Sequence, residues 1–280
     1  MKYIMGLPVV LALLLVIDVG TGATQSEAYR VVFYPSGLLR IQGYLYNPPG
    51  QGPFPVVIYN HGSREGQERT EVPFRYVGAF LSQAGYEVFV PERRGYGRSD
   101  GPTFSEEIGR DVGAKFIARM QAETDDVLAA VSFLGTIPEA DTKRMAIMGW
   151  SLGGIVTVFA SSRGTAFRAV VDQAGGALTW NHSPSLQAAL QQAVRQIRVP
   201  VLLMDAENDS TTDAVTTLAK ILQEANRTEQ LRIYPPYYPP SSVTALAQKQ
   251  GIALGHLIFG ADGVSLWQGD VVSFLDRYMK

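Results

Sequence analysis

Gly149-Trp150-Ser151-Leu152-Gly153 sets a serine between glycines two positions to either side. A serine hydroxyl is a weak nucleophile at neutral pH. It attacks carbonyl carbon efficiently when a base takes its proton and a third group orients that base. Candidates for the base are few, because the chain has only three histidines, His61, His182 and His256. His256 lies downstream in Gly255-His256-Leu257, and Asp209 lies between the two in Glu207-Asn208-Asp209. The candidate order along the chain is therefore Ser151, Asp209, His256. Each has a purely structural alternative: a glycine-rich turn for the serine motif, a surface position for His256, an N-cap near Thr212 for Asp209. Asp205 and Glu207 compete with Asp209 for the acid role. Other chemistries fall away, since a chain with no cysteine has no thiolate nucleophile, disulfide, Cys-ligated zinc or iron–sulfur cluster. The histidines are too scattered to suggest a three-His metal site, and none of these residues requires a cofactor.

These residues need elements that hold them together. Short β-rich runs occur at Arg30–Tyr34, Leu39–Tyr46, Pro55–Tyr59, Glu87–Pro91, Arg144–Met148, Arg168–Asp172, Pro200–Met204 and Gln230–Tyr234. Pro35-Ser36-Gly37 between the first two predicts an antiparallel hairpin. From the third run onward, stretches such as Val56-Val57-Ile58 and Val201-Leu202-Leu203-Met204 have no polar alternation, as strands buried on both faces require. Helical periodicity fills the gaps at Phe74–Ala84, Ser105–Leu134, Leu152–Ser162, Ala214–Ala225 and Val264–Tyr278. Strands alternating with helices predict an α/β fold, a mostly parallel eight-stranded sheet with helices on both faces. Ser151, Asp209 and His256 each fall just beyond a predicted strand, the edge where open α/β sheets place their sites. Ala177–Ile197 is Gln- and Ala-rich and helical in pattern, and Tyr234–Ser242 is rich in Tyr and Pro.

With 46% apolar and 18% charged residues, the chain has ample material for one large core. A net charge of -2, with 24 basic against 26 acidic residues, argues against a nucleic-acid surface. Residues 1–28 read as a leader. Lys2 precedes an apolar run of about 14 residues from Ile4 to Ile17, short of the ~20 that span a bilayer. Small residues at Thr21-Gly22-Ala23 and Ser26-Glu27-Ala28 fit cleavage sites. Export is the expectation, with a retained membrane anchor as the alternative, and 29–280 is the expected folded domain.

Four segments give the chain a wider resemblance. Asn60-His61-Gly62-Ser63 follows a strand, Glu92-Arg93-Arg94-Gly95-Tyr96-Gly97-Arg98-Ser99-Asp100 follows the next, Gly149–Gly154 forms a strand-to-helix turn, and Gly255-His256 precedes a terminal helix containing Trp267. Together they resemble the α/β-hydrolase superfamily, and within it serine hydrolases similar to dienelactone hydrolases and short-chain carboxylesterases. The likeness runs from about Val56 to the end, with Glu92 in place of the usual Asp. Dienelactone hydrolases in the narrow sense use a cysteine nucleophile, so that name expresses relatedness of fold. The resemblance implies a triad of Ser151, His256 and Asp209, an oxyanion hole from the N–H groups of Ser63 and Leu152, and a short cap at about 177–197. His61, Arg93 and Arg94 are expected to shape the neighbouring loops. Trp180, Leu186 and Leu190 are alternatively pocket or core, and Tyr237 and Tyr238 are alternatively pocket wall or loop stiffeners.

The implied activity is hydrolysis of small-molecule carboxylic esters of small to medium size, without cofactor or metal. A histidine base works in its neutral form, so turnover is expected to rise through about pH 6–7, where a free imidazole titrates. A profile flat from pH 5 to 8 would exclude such a base. Two other readings use the same residues, a peptidase of the prolyl-oligopeptidase type and a non-catalytic binding protein. The sequence leaves the oligomeric state open.

Overall fold

The computed structural model describes residues 28–280, and the leader expectation, Ala28 apart, lies outside them. Eight strands form one sheet: β1 (Arg30–Ser36), β2 (Leu39–Tyr46), β3 (Phe54–Asn60), β4 (Glu87–Pro91), β5 (Ala140–Trp150), β6 (Phe167–Gln173), β7 (Val201–Ala206) and β8 (Glu229–Tyr234). Their spatial order is β1-β2-β4-β3-β5-β6-β7-β8. The β1–β2 and β2–β4 pairs are antiparallel, and every pair from β4 to β8 is parallel. The expected α/β sheet is thus observed, with one local difference. Ser36 pairs with Leu39, so the hairpin turn is Gly37-Leu38 and not Pro35-Ser36-Gly37. Gly37, at φ +57°, supplies the positive φ that a two-residue hairpin needs.

Helices cover both faces, which explains the unbroken apolar runs. Val56 and Ile58 point into one layer, with α3 (Ala114–Leu134), α4 (Leu152–Arg163), α5 (Pro184–Val194) and α6 (Asp213–Glu224). Val57 and Tyr59 point into the other, with α1 (Arg75–Gln83) and α8 (Val264–Met279). The run expected as one helix from Ser105 to Leu134 is broken into α2 (Phe104–Ile108) and α3. Gly109 turns the chain at φ +56°. The Asp111 carboxylate then accepts N–H bonds from Gly113 and Phe116 and starts α3 anew. In the 177–197 segment, Leu186 and Leu190 of α5 are fully buried in the same core as α4 and α6. Both residues serve as core. A further helix, α7 (Ser241–Gln250), follows the Tyr/Pro-rich stretch. Among the described residues, no helix is long and apolar enough to cross a membrane.

Glu87 opens β4 at the sheet edge away from Ser151. Its carboxylate oxygens are both buried without a hydrogen-bond partner. Burial, reinforced by the charge of Glu139, pushes its pKa up to about 7. A carboxyl raised above its unfolded value costs nothing below about pH 4.5, and stability is lost as pH climbs from there through 7. Glu87→Gln is therefore expected to stabilise the fold at pH 8 by about 1–3 kcal/mol and to have little effect at pH 4. Urea unfolding at the two pH values tests this, and an equal change at both would refute it.

Candidate active site

The serine sits where sheet and helix impose strain. Ser151 joins β5 directly to α4 with φ 59° and ψ −119°, a conformation that side-chain-bearing residues rarely adopt. Its N–H donates to Gln173 O at 2.9 Å, pinning the turn to β6. Close packing enforces the flanking glycines. A Cβ on Gly153 would stand 1.9 Å from Asn60 O and 2.6 Å from His61 O, and one on Gly149 would stand 2.2 Å from Gly153 O. The end of β3 thus lies directly against the first turn of α4, whose leading N–H groups have no partner within the helix. Ser63, also buried, lies three residues past that strand end.

The histidine arrives on a separate loop. His256 lies in a 3-10 turn, Leu254–Phe259, well beyond β8 because α7 intervenes. Two indoles hold that turn. Trp150 Nε1 donates to His256 O at 3.1 Å, and Trp267 Nε1 donates to Ile258 O at 2.8 Å. The side chain next to the serine therefore fixes the backbone of the histidine. On the third side, Asp209 Oδ2 accepts from His256 Nδ1 at 2.7 Å, with both side chains fully buried. Gly255 permits this approach, since a Cβ there would lie 2.5 Å from Asn208 C and Asp209 N. With Nδ1–H directed at a carboxylate, Nε2 is left as the acceptor, and it is buried with no hydrogen-bond partner. Ser151 Oγ does not hydrogen-bond to it. Contacts of this kind are often formed only once a substrate is bound.

The rival acids separate by position. Glu207 is exposed, and Asp205 is buried without reaching His256. Of the other histidines, His182 is exposed. His61 is buried, lies flat on Phe74 at 5.6 Å, and directs Nδ1 to Gly62 O at 2.7 Å. Burial, together with the Arg93 and Arg64 charges, pushes its pKa well down. His61 is a neutral shaping group, as expected.

Arg93 and Arg94 also act on structure. Arg93 Nη2 donates to His61 O at 2.8 Å and its Nε donates to Glu123 Oε2 at 2.7 Å. Arg119 donates to the other oxygen of Glu123 at 2.8 Å, and all three side chains are fully buried. Arg94 forks onto Asp126 at 2.9 and 2.8 Å. Glu92 pairs with Arg64 and accepts Val72 N–H at 3.0 Å. The loop after β4 is thereby fastened to α3 on one side and to the His61 backbone on the other.

Sequence reading missed Trp150, Asn208, Glu123 and Asp126. Asn208 clamps the Tyr/Pro-rich stretch by accepting from Tyr237 N and donating to Tyr237 O, both at 2.8 Å. Only the acids on α3 left a signal, because carboxylates at Glu123 and Asp126 interrupt a buried helix face near Arg119.

Residues 41–238 match the model of the dienelactone hydrolase family. The chain belongs to that family. The chain has the α/β-hydrolase fold of that family. Solved structures with the same architecture include the Pyrococcus horikoshii acylaminoacyl peptidase, at 18% identity and TM-score 0.67, covering 90% of this chain and 42% of that one. The Pyrococcus furiosus esterase matches at 19% identity and TM-score 0.64, covering 90% and 92%. A Klebsiella pneumoniae protein assigned as a dienelactone hydrolase matches at 19% and 0.63, covering 89% and 98%. This dienelactone hydrolase family chain thus spans less than half the length of the peptidase, and about the whole length of the other two.

Proposed function

We propose that this protein hydrolyses carboxylic esters of small to medium size through an acyl-enzyme on Ser151. The reading is carried by the buried Asp209–His256 pair at 2.7 Å, whose free Nε2 is tied through Trp150 to the strained serine turn. In the first step, Nε2 takes the Ser151 proton as Oγ bonds to the acyl carbon. The carbonyl electron pair moves onto oxygen and returns to expel the alkoxide, which receives the proton from His256. Water then repeats the sequence in place of Ser151 and releases the acid. Asp209 keeps Nδ1 protonated and balances the imidazolium charge. The N–H groups of Leu152, at a helix N-terminus, and Ser63 receive the oxyanion.

Hydrolysis of p-nitrophenyl esters from acetate to long acyl chains tests the reading. Turnover that stops when an organophosphate labels Ser151, located by mass spectrometry, supports it, and the chain-length optimum sizes the acyl site. Turnover confined to peptide substrates would favour the second reading, a serine peptidase, which the overlap with acylaminoacyl peptidase suggests. Labelling without turnover of either class would favour a binding role. Export of the protein is proposed from residues 1–28 and is tested by fractionating cells that produce the full chain.

The oxyanion arrangement yields its own prediction. Gly153→Ala forces a Cβ into the Asn60 and His61 carbonyls, which are backbone and cannot swing aside. Displacing the Ser63 loop is expected to cost about 100-fold or more in kcat, the scale of losing one oxyanion donor. A folded Gly153→Ala protein with parental kcat would contradict the placement of Ser63.

A further inference from the structure

Asp205 lies four residues before Asp209 in a position where an acid has no evident use. It is the fifth residue of β7, and its side chain is fully buried. Oδ1 accepts the N–H of Ala206 at 2.8 Å. Oδ2 is buried and receives no N–H or O–H donor. The titratable groups facing it are Asp209, from the loop after β7, and Asp172, from neighbouring β6. Asp172 is itself fully buried, accepts Gly175 N–H through Oδ1 at 3.0 Å, and has an unpartnered Oδ2. Three acids therefore converge behind one histidine, and Asp209 is the one that contacts it.

Adjacent buried carboxylates cannot all hold negative charge, and a carboxyl oxygen without a donor beside a carboxylate is best satisfied by carrying the proton itself. We propose that Asp205 is a positioning residue, kept as a neutral carboxylic acid that donates a hydrogen bond to Asp209 and so orients the carboxylate holding His256. The inference rests on the proposed triad and adds a fourth member that touches neither substrate nor histidine. Burial, and after it the Asp209 charge, act in the required direction by pushing the Asp205 pKa well above the usual carboxylate range. At neutral pH the proton stays in place. Loss of that proton would remove the donor and set a second negative charge against Asp209.

The test compares Asp205→Asn and Asp205→Ala with the parent in ester hydrolysis at pH 8, with circular dichroism to restrict the comparison to folded protein. The Asn amide supplies an N–H donor that never ionises, so Asp205→Asn should keep kcat within about threefold of the parent at pH 8. Asp205→Ala removes the donor and should lower kcat by about 10- to 100-fold, with KM little changed. Equal losses in the two variants overturn the proposal. So does parental kcat in Asp205→Ala. If Asp205→Ala does not fold, Asp205→Leu, of similar size and without a donor, takes its place in the comparison with Asp205→Asn. Ser151→Ala in the same assay separates the two readings: its continued turnover would remove the triad, whereas its inactivity beside unaffected Asp205 variants would remove only this inference.

Discussion

Ser151→Ala is expected to lower kcat for every hydrolysed ester by at least about 1,000-fold, because members of such a triad act as a unit and the loss of the nucleophile forfeits nearly all of their contribution. The structure gives reasons to expect little repair. No cysteine exists in the chain to substitute, and the turn geometry at φ 59° presents one side chain only. Stability should move the other way. Ser151 is held in a strained conformation and is buried, so the alanine variant, lacking a polar group to desolvate, should unfold at a temperature equal to or above the parent's. Steady-state kinetics with a thermal melt on the same preparation separates the effects. Turnover within about tenfold of the parent in the folded variant would show that another group is the nucleophile.

Glu123→Leu is expected to be the most destabilising single change outside the apolar core, by about 3–5 kcal/mol. Glu123 is fully buried between Arg93 and Arg119, which are fully buried too. Although burial alone would raise its pKa, the two guanidinium groups outweigh that and hold it below the usual carboxylate range. Removing the carboxylate leaves two arginines without their shared counter-charge. Replacing Arg93 and Arg119 with methionine in the Glu123→Leu background should recover much of the loss, since it removes the Arg93 charge left unpaired and the Arg119 charge left with Glu107 alone. Denaturant unfolding of the single and triple variants measures both. A single-variant loss under about 1 kcal/mol, the scale of a solvated pair, would mean that the network is hydrated and not structural. The sign with pH also follows. A carboxyl with a lowered folded pKa contributes stability above its unfolded value, near 4.5, which is lost as pH falls below that. The parent should lose this increment in acid, whereas the Glu123→Leu variant has none to lose.

Much of this is legible in the chain. All eight strands can be placed within a few residues, because the central strands, buried on both faces, must be continuously apolar, the edge strands β1 and β8 keep β-rich runs, and the intervening helices show their own period. The long run from Ser105 to Leu134 misleads, since its apolar spacing continues across Gly109–Gly113, where a positive φ and the Asp111 side chain break the helix. The hairpin turn is displaced by a residue or two for a related reason. Pro35 remains in β1, the edge strand, where a missing N–H leaves no ladder bond broken.

The candidate site divides along the same line. Ser151 and Asp209 can be singled out from residue type and position after strands, because a parallel sheet delivers successive strand ends to one edge, whereas His256 is found by type and order alone, since α7 separates it from β8. Residue pattern alone therefore specifies the sheet, its active edge and a small set of chemically able side chains. Packing selects among the acids, since Asp205, Glu207 and Asp209 differ not in type but in which carboxylate the Gly255 loop can approach. It also recruits Trp150, Asn208, Glu123 and Asp126, whose partners lie 29 to 106 residues away. Local pattern reports which face a residue occupies. It carries no information on which distant group completes a buried hydrogen bond, because that choice is made only when the layers close and every desolvated polar atom must find its partner.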